Sequence, residues 1–550
     1  MPSAAAAPVP SPHAVVAHDI GRAFGDRVVL DGVDLVANPG EPVGLVGENG
    51  AGKSTLMRIL AGVDEADSGT VSRPEDTAYL GQEPDFAPGA TVGDVLAEVL
   101  APLHDAVVRL ASLAGLLGED DMGSDDADHP DAAQDYADLL GWAEHHDAWD
   151  ADRRAEVAAA RLGVGHLPHE RPVAELSGGE RTRLALAAII VRRPDCVLLD
   201  EPTNHLDDEA MAHIEEFVVA SPGVVVIASH DRVFLDRTAA VIVDLDPSHF
   251  GIDGEGGSRF SGDFTAYLAA RRKARCRWEE AFLAQREELN ALRLAEQTTA
   301  RTVAHDRGPR DNDKHIDNFK GAKVQRTIAR RVHDVQRRIE VLERAQIPKP
   351  PRPLTFGGQL AEGPGMVWVR DLVVPGRVEV PSLAVEPGEH LLVTGPNGSG
   401  KSTLLAVLAG ELAPAGGEVQ VRARRIGYLP QDVTFDRPDR TAHEVYAAYV
   451  ATDGAGAPDA PPLGDLGLLH PRELGKPVAV LSVGQQRRLA LALVVALQPD
   501  LLLLDEPTNH ISLALAADLE EALGRSSGTV VVTSHDRWLR RRWTGPVLPL

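Results

Sequence analysis

Short unbroken apolar runs alternate along this chain with stretches whose apolar residues recur every three to four positions. The runs Pro42 to Val46 and His390 to Thr394 each stop at a glycine-rich segment, while Cys196 to Leu199 and Leu501 to Leu504 each stop at Asp-Glu. Apolar runs of this length, bounded by turn-forming or charged residues, predict buried strands. The helical-period segments that follow them predict an α/β fold. Residues 271–352 carry a different pattern. Trp278, Phe282, Leu289 and Leu292 share one helix face, and Ile328, Val332, Val335, Ile339 and Leu342 step by 4, 3, 4 and 3, a heptad seam. Two antiparallel helices follow, joined by a polar loop near 301–318 that contains Gly308 and Pro309. An arm of about 30 residues would reach roughly 45 Å. No apolar run approaches the about 18 residues of a membrane span; the longest, near Leu184 to Val191 and Leu489 to Leu497, are half that or interrupted. No membrane insertion is expected. Residues 1–13, rich in Ala and Pro, lack the basic start of a secretory signal and predict a flexible tail.

The chain contains itself twice. GENGAGKST at Gly47 to Thr55 returns as GPNGSGKST at Gly395 to Thr403, and four more pairs follow in the same order: YLGQ and YLPQ, LSGGE and LSVGQ, CVLLDEPTNHLD and LLLLDEPTNHIS, IASHDR and VTSHDR. Lys401 lies 348 residues after Lys53 and Gln431 lies 349 after Gln82, but Asp505 and His535 lie 305 after Asp200 and His230. The first copy therefore carries 44 extra residues between its glutamine and LSGGE. The implied domains are a first copy over 14–260 with an inserted helical arm at about 87–170, a linker hairpin over 261–350, and a second copy over 351–550.

Length and charge sharpen this organisation. At roughly 100 to 200 residues per domain, 550 residues form several units. Hydrophobic and charged fractions of 43% and 25% are those of a folded soluble protein. A net charge of −27, from 55 Lys+Arg and 82 Asp+Glu, excludes a chain that coats nucleic acid along its length. The segment Arg271 to Arg352 reverses the sign: 21 basic against 12 acidic residues give +9, leaving −36 for the rest. The insertion goes the other way, since Glu119 to Asp152 holds 13 acidic residues and no Lys or Arg. It predicts a solvated appendage, because the spacing fails the calcium-loop pattern and His145 and His146 are expected to lack partners. Two cysteines, Cys196 and Cys276, suit neither a disulfide framework nor a four-thiolate zinc site, so a reducing, cytoplasmic setting is expected.

The repeated motifs carry phosphate chemistry. In G-x-x-x-x-G-K-S the glycines let backbone N–H groups approach phosphates at a helix N-terminus. The candidates are Gly47, Asn49, Gly50, Gly52, Lys53, Ser54 and Thr55, then Gly395, Asn397, Gly398, Gly400, Lys401, Ser402 and Thr403. Lys53 and Lys401 would reach the terminal phosphates, and Ser54 and Ser402 would ligate Mg²⁺. Asp200 and Asp505, at strand ends, are further Mg²⁺ ligands, and Glu201 and Glu506 are placed to polarise the attacking water. Gln82 and Gln431 can hold Mg²⁺ and water, and His230 and His535 can reach a γ-phosphate. Ser229, His230 and Asp231 are no hydrolase triad, since consecutive residues do not converge.

Together these motifs closely resemble the ATP-binding cassette superfamily, and tandem cassettes joined by a charged helical linker without a membrane domain resemble the ABC-F family. The resemblance covers nearly the whole chain. It implies two P-loop cassettes that close face to face within one chain, as a monomer, with each ATP between one phosphate loop and the other copy's LSGGE-like helix start. One implied site sets Lys53, Ser54, Gln82, Asp200, Glu201 and His230 against Ser482 and Gly484. The other sets Lys401, Ser402, Gln431, Asp505, Glu506 and His535 against Ser177, Gly178 and Gly179. The family stacks adenine on an aromatic residue upstream of the phosphate loop, a position Phe24 fits; core packing is the alternative for that ring. The second copy departs from the pattern at Val483, Ser512 and Leu372, so hydrolysis at both sites but at unequal rates is expected.

The resemblance also implies a partner. ABC-F proteins bind the ribosome near the tRNA exit site, with the linker meeting tRNA and rRNA, and a basic linker on an acidic body suits this. Arg307, Arg310, Lys314, His315, Lys320, Lys323 and Arg326 are the RNA-facing candidates, against the alternative of a solvated hairpin. The linker is similar to that of antibiotic-resistance members, and the Arg-rich composition and LSVGQ resemble the macrolide self-protection group. Protection of translation from large-subunit antibiotics is the expected role; a general translation factor and the ATPase of a separate membrane exporter are the alternatives.

Overall fold

The computed structural model describes residues 13–25, 27–47, 50–119, 130–204, 206–245, 258–303, 330, 332–350, 363–396, 398–452, 460–469, 473–509, 511 and 513–550. Most of the expected tail, Asn49, Asn397, Ser512 and all seven RNA-facing candidates, Arg307, Arg310, Lys314, His315, Lys320, Lys323 and Arg326, lie outside the described residues.

In chain order the first copy comprises β1 (Val15–Phe24), β2 (Arg27–Ala37), β3 (Val43–Val46), α1 (Lys53–Ala61), β4 (Ser68–Ser72), β5 (Thr77–Leu80), α2 (Val92–Glu119), α3 (Pro130–His145), α4 (Ala151–Arg161), α5 (Gly178–Arg192), β6 (Cys196–Asp200), α6 (Asp208–Ala220), β7 (Val224–Ala228), α7 (Arg232–Thr238), β8 (Val241–Asp244) and β9 (Ser258–Ser261). After α8 (Phe264–Val303) and α9 (332–344), the second copy repeats the plan. It comprises β10 (Met366–Val374), β11 (Val378–Val385), β12 (His390–Thr394), α10 (Lys401–Leu408), β13 (Gly416–Arg422), β14 (Ile426–Leu429), α11 (Ala442–Thr452), α12 (Val483–Ala496), β15 (Leu501–Asp505), α13 (Leu513–Gly524), β16 (Thr529–Thr533), α14 (Arg537–Arg542) and β17 (Val547–Pro549).

Each copy holds a small antiparallel sheet, β2-β1-β4 or β11-β10-β13, and a larger sheet built on parallel strands, β5-β6-β7-β3-β8-β9 or β14-β15-β16-β12-β17. Only the edge strand β9 runs antiparallel in the larger sheets. The inner parallel strands β6, β7, β15 and β16 are apolar between their end residues because both faces are covered. In β15, Leu501 and Leu503 face a core shared with α10 and the antiparallel sheet, while Leu502 and Leu504 face one shared with α12 and α13. Strand alternation thus supplies two cores from a single run of leucines.

The extra residues of the first copy are bracketed by matching bridges, Thr91↔Pro172 in one copy and Thr441↔Pro477 in the other. Between them α2 has 28 residues where α11 has 11, and α3 is added. One stretch of α2, Val92–Leu117, with mean hydropathy 1.4, is long and apolar enough to cross a membrane by length and composition, alone among the described helices. Contiguous runs missed it because Asp94, Glu98, Asp105 and Arg109 divide it. Leu103, Ala106 and Leu110 bury one face of this helix, and Val108 and Leu116 are exposed. The histidines behind it do not lack partners: His145 pairs with Asp195 at 3.1 Å, and His146 with Asp76 at 3.3 Å and the Trp142 carbonyl at 2.9 Å. These carboxylates, about fifty and seventy residues away in the chain, are brought in by the fold, and among the described residues they form no group of three or more that could hold a metal.

The described residues divide into two compact units, one holding both copies and one holding the linker from Leu268. Within the linker α8 and α9 run antiparallel. Trp278 Nε1 donates to the Pro348 carbonyl at 2.8 Å, Arg338 meets Glu288 and Arg293 meets Glu343, each at 2.7 Å, and Leu289 and Ile339 are the buried seam.

Candidate functional site

Both glycine-rich loops leave a buried central strand and enter a helix whose first residue is the lysine. Gly52 and Gly400 each take φ 94°, a left-handed conformation. A Cβ on Gly52 would lie 2.6 Å from Leu30 Cδ2, and one on Gly400 would lie 2.4 Å from the Arg377 carbonyl oxygen. Glycine is required at both for conformation and for space. Lys53 Nζ donates to the Gly47 carbonyl at 3.0 Å, and Lys401 Nζ to those of Gly395 and Pro396 at 2.8 and 3.1 Å. Each ammonium is buried yet held by its own loop, pointing back along the cradle a phosphate would enter.

Asp200 and Asp505 end β6 and β15, and Glu201 and Glu506 follow them with φ of 53° and 48°. Left-handed backbone at a glutamate is strained, and in both copies it is held by a bond from the glutamate N–H to the next strand, to the Ala228 carbonyl at 2.7 Å or the Thr533 carbonyl at 3.1 Å. The turn brings each glutamate to its histidine. Glu201 Oε2 accepts the His230 backbone N–H at 3.2 Å with the ring 3.4 Å away, and Glu506 Oε2 accepts the His535 backbone N–H at 3.2 Å and pairs with Nδ1 at 2.9 Å. Burial pushes the Glu201 carboxyl up to about 7, opposed by the His230 N–H and Lys53. Burial also raises Asp200, while the hydrogen bond to Glu506 raises His535. Gln82 Nε2 donates to Ser54 Oγ at 3.1 Å, and Ser402 Oγ donates to Gln431 Oε1 at 3.3 Å. Lysine, serine, glutamine, aspartate, glutamate and histidine therefore converge within each copy.

Comparison with known proteins accounts for this duplication. The family described as ABC transporter matches residues 30–204 and 378–509. The chain is 40% identical to the tylosin resistance ATP-binding protein TlrC of Streptomyces fradiae, over 97% of this chain and 96% of that one. It belongs to the ABC-F family of tandem ATP-binding cassette ATPases. The energy-dependent translational throttle protein EttA of Mycobacterium tuberculosis is 32% identical over 95% of this chain and 88% of its own. Among solved structures, one titled RNase-L Inhibitor superposes with a TM-score of 0.50 at 19% identity, covering 95% of this chain and 85% of that one, a likeness of fold.

In the cassettes' own terms the start of α5 is Ser177, Gly178 and Gly179, and that of α12 is Ser482, Val483 and Gly484. Both serines are helix caps in capping boxes, with Glu180 and Gln485 closing the reciprocal bond. Val483 is 66% exposed, and a Cβ at the matching Gly178 would meet nothing within 4 Å, so valine is accommodated without strain inside its own cassette. A cavity of about 540 Å³ lies at the second phosphate loop, lined by Lys401, Gln431, Glu506 and His535 together with Arg377 and Asn509. Its described lining comes wholly from the second cassette and does not include Ser177 to Gly179. Phe24 is 53% exposed with Arg22 5.1 Å over its ring, which removes the core-packing alternative. Leu372 is buried instead, and the exposed Arg377 lines the cavity at the second loop.

Two further residues escaped sequence reasoning. Arg487, buried in α12, donates to the backbone carbonyls of Gln431, Asp505 and Glu506, tying three motifs of the second site together. Its first-cassette counterpart is Thr182, whose hydroxyl bonds only within its own helix. Thr533 Oγ1 donates to Asp505 Oδ1 at 2.6 Å and accepts the Glu506 N–H at 3.1 Å, where the first cassette has Ala228. Aligning LSGGERTR with LSVGQQRR and IASHDR with VTSHDR would have flagged both.

The donor sets fit a divalent cation with oxygen ligands. Neither oxygen of Asp200 accepts a well-formed hydrogen bond, although Ser54 and Gln82 stand close enough to oppose part of the effect of burial, and Asp505 Oδ2 is likewise buried and unmatched. Among the described residues no group of three or more His, Cys, Asp or Glu could hold a metal.

Proposed function

We propose that this chain binds and hydrolyses ATP at two sites and uses the cycle at the large ribosomal subunit, near the tRNA exit site, to protect translation from large-subunit antibiotics. The observation that carries this reading is 40% identity, along nearly the whole chain, to a protein named for tylosin resistance. Identity of 32% over 95% of the chain to a protein named as a translational throttle supports the ribosome as the place of action.

In the first site the backbone of Gly47, Gly50 and Gly52 and the N-terminus of α1 cradle the phosphates, and Lys53 exchanges its loop carbonyl for phosphate oxygen. Ser54, Gln82 and Asp200 hold Mg²⁺, as Ser402, Gln431 and Asp505 do in the second site. Bound Mg²⁺ supplies neutralisation of phosphate charge as the γ-phosphoryl group passes to water. Glu201 and Glu506 orient the attacking water and take its proton, and His230 and His535 fix those carboxylates and face the γ-phosphate. Phe24 stacks on adenine, and the opposite cassette completes each site through Ser482 and Gly484 or Ser177, Gly178 and Gly179. The linker, at +9 against −36 for the rest, meets rRNA and tRNA through the candidates between Arg307 and Arg326.

The test is in vitro translation stalled by a panel of large-subunit drugs that begins with tylosin. Purified protein is expected to restore synthesis with at least one drug, and a variant lacking Arg307 to Asn318 is not. Rescue of none would overturn protection and favour the general translation factor. An E201Q, E506Q double variant is expected to pellet with ribosomes in ATP; recovery with membranes instead would favour an exporter ATPase.

A further inference from the structure

The residue after each His-Asp pair is an arginine, and both arginines leave their own cassette. Arg232, at the start of α7, is fully buried; its Nη2 reaches Glu520 on α13 and Asp536 Oδ2 at 2.5 Å, and its guanidinium stacks 5.7 Å over Trp538. Arg537, at the start of α14, makes the mirror contacts: Nη1 lies 3.3 Å from Glu215 Oε1 on α6 and 3.5 Å from Asp231 Oδ2. The offset of 305 residues relates all three members, Arg232 to Arg537, Glu215 to Glu520 and Asp231 to Asp536.

The aspartates divide their oxygens the same way in both halves. Asp536 Oδ1 caps α14, accepting from Trp538 N at 2.8 Å and Leu539 N at 3.3 Å, and its Oδ2 receives Arg232 from the first cassette. Asp231 Oδ1 caps α7, accepting from Val233 N at 2.9 Å and Phe234 N at 3.0 Å, and its Oδ2 faces Arg537 from the second. One peptide bond upstream of each cap is the histidine that meets the glutamate of its own site. A carboxylate that caps a helix through one oxygen and meets a guanidinium through the other has little freedom, and neither has the residue joined to it.

We propose that Arg232 and Arg537 are positioning residues that act in trans, so that the first cassette sets the His535 and Glu506 pair and the second cassette sets the His230 and Glu201 pair. The two clamps are unequal. Arg232 has no exposure and two tight carboxylates, whereas the Arg537 side chain is 19% exposed and spreads over longer contacts to Glu215, Asp231 and Asp208. The second site therefore depends on the first cassette more than the reverse.

This inference rests on the reading of both sites as hydrolytic, and the test separates the two. In an E201Q background only the second site turns over, and in an E506Q background only the first. R232M is expected to slow the E201Q background about tenfold and the E506Q background less than about twofold, with R537M giving the opposite and smaller split. Equal slowing of both backgrounds, or no slowing of either, overturns the proposal. Wild-type protein without any ATP turnover sinks the hydrolytic reading instead. Positioning is then decided by affinity for a non-hydrolysable ATP analogue: R232M should weaken a K53A protein, which reports the second site, and spare a K401A protein, and equal effects overturn it. If R232M does not fold, R232K and E520Q replace it, with the same two splits expected.

Discussion

At the residue scale burial sets the chemistry of the first glutamate. Glu201 is buried, and its carboxyl is pushed up to about 7 from an ordinary value of 4.5. A carboxyl raised on folding binds more protons in the native than in the unfolded chain between those values, so folding stability falls as pH rises from about 4.5 to about 7 and levels off above. E201Q removes this loss. The variant is expected to melt higher than wild type at pH 8, by up to about 3 kcal/mol, and to match it near pH 4; an offset that does not change with pH would contradict the assignment. The second site carries its asymmetry in Arg487. R487T copies the first cassette but leaves the carbonyls of Gln431, Asp505 and Glu506 without the donor that ties them. A loss of about 3 kcal/mol is expected by chemical denaturation, with ATP turnover falling in the E201Q background and holding in the E506Q background.

At the element scale the capping boxes explain why α5 and α12 begin where they do. Gln485 accepts the Ser482 N–H at 2.9 Å while its amide donates to Glu473, so Q485A removes both bonds at a helix start where Val483 is exposed. A cost of about 1 kcal/mol is expected, read as faster amide exchange confined to the first turn of α12. Elements of this kind were legible because they are local: S-x-x-E and S-x-x-Q, the glycine loops, and apolar runs ending in Asp-Glu each need only a few neighbouring residues to state their geometry. The antiparallel pairing of α8 with α9 was legible for a related reason, since Trp278, Phe282, Leu289 and Leu292 on one side and Val332, Val335, Ile339 and Leu342 on the other recur at helical spacing. What stayed hidden depends on contacts across the fold. Nothing near His146 announces Asp76, nothing near Thr533 announces Asp505, and α2 was concealed because single charges interrupt a helix whose apolar face is continuous only in three dimensions. Arg487 and Arg377 were visible as differences between the copies, but a difference acquires a role only when the opposing carbonyls or cavity are known.

At the scale of the whole molecule the charge distribution sets a basic linker apart from an acidic body. A body of −36 repels RNA, while a linker of +9 attracts it, and salt weakens both effects. For binding dominated by the linker, log K should fall with log salt concentration at a slope set by the phosphates neutralised, roughly 0.7 to 0.9 per contact. Five of the eight lysines lie in that linker. Replacing Lys314, Lys320 and Lys323 together by alanine is therefore expected to reduce the slope of ribosome binding by about 2 and to weaken affinity most at low salt. Replacing three acidic residues of α3, Asp131, Asp135 and Asp138, should raise affinity modestly while leaving that slope nearly unchanged, because these groups repel RNA without exchanging places with its counterions. Measured side by side in ribosome pelleting at about 50 to 300 mM salt, over which the Debye length falls from about 14 to about 6 Å, the two triple variants separate a linker that touches RNA from a body that merely tunes approach. Equal slopes for the wild type and the lysine variant would remove RNA from the linker's partners and leave the cassettes to make the contact.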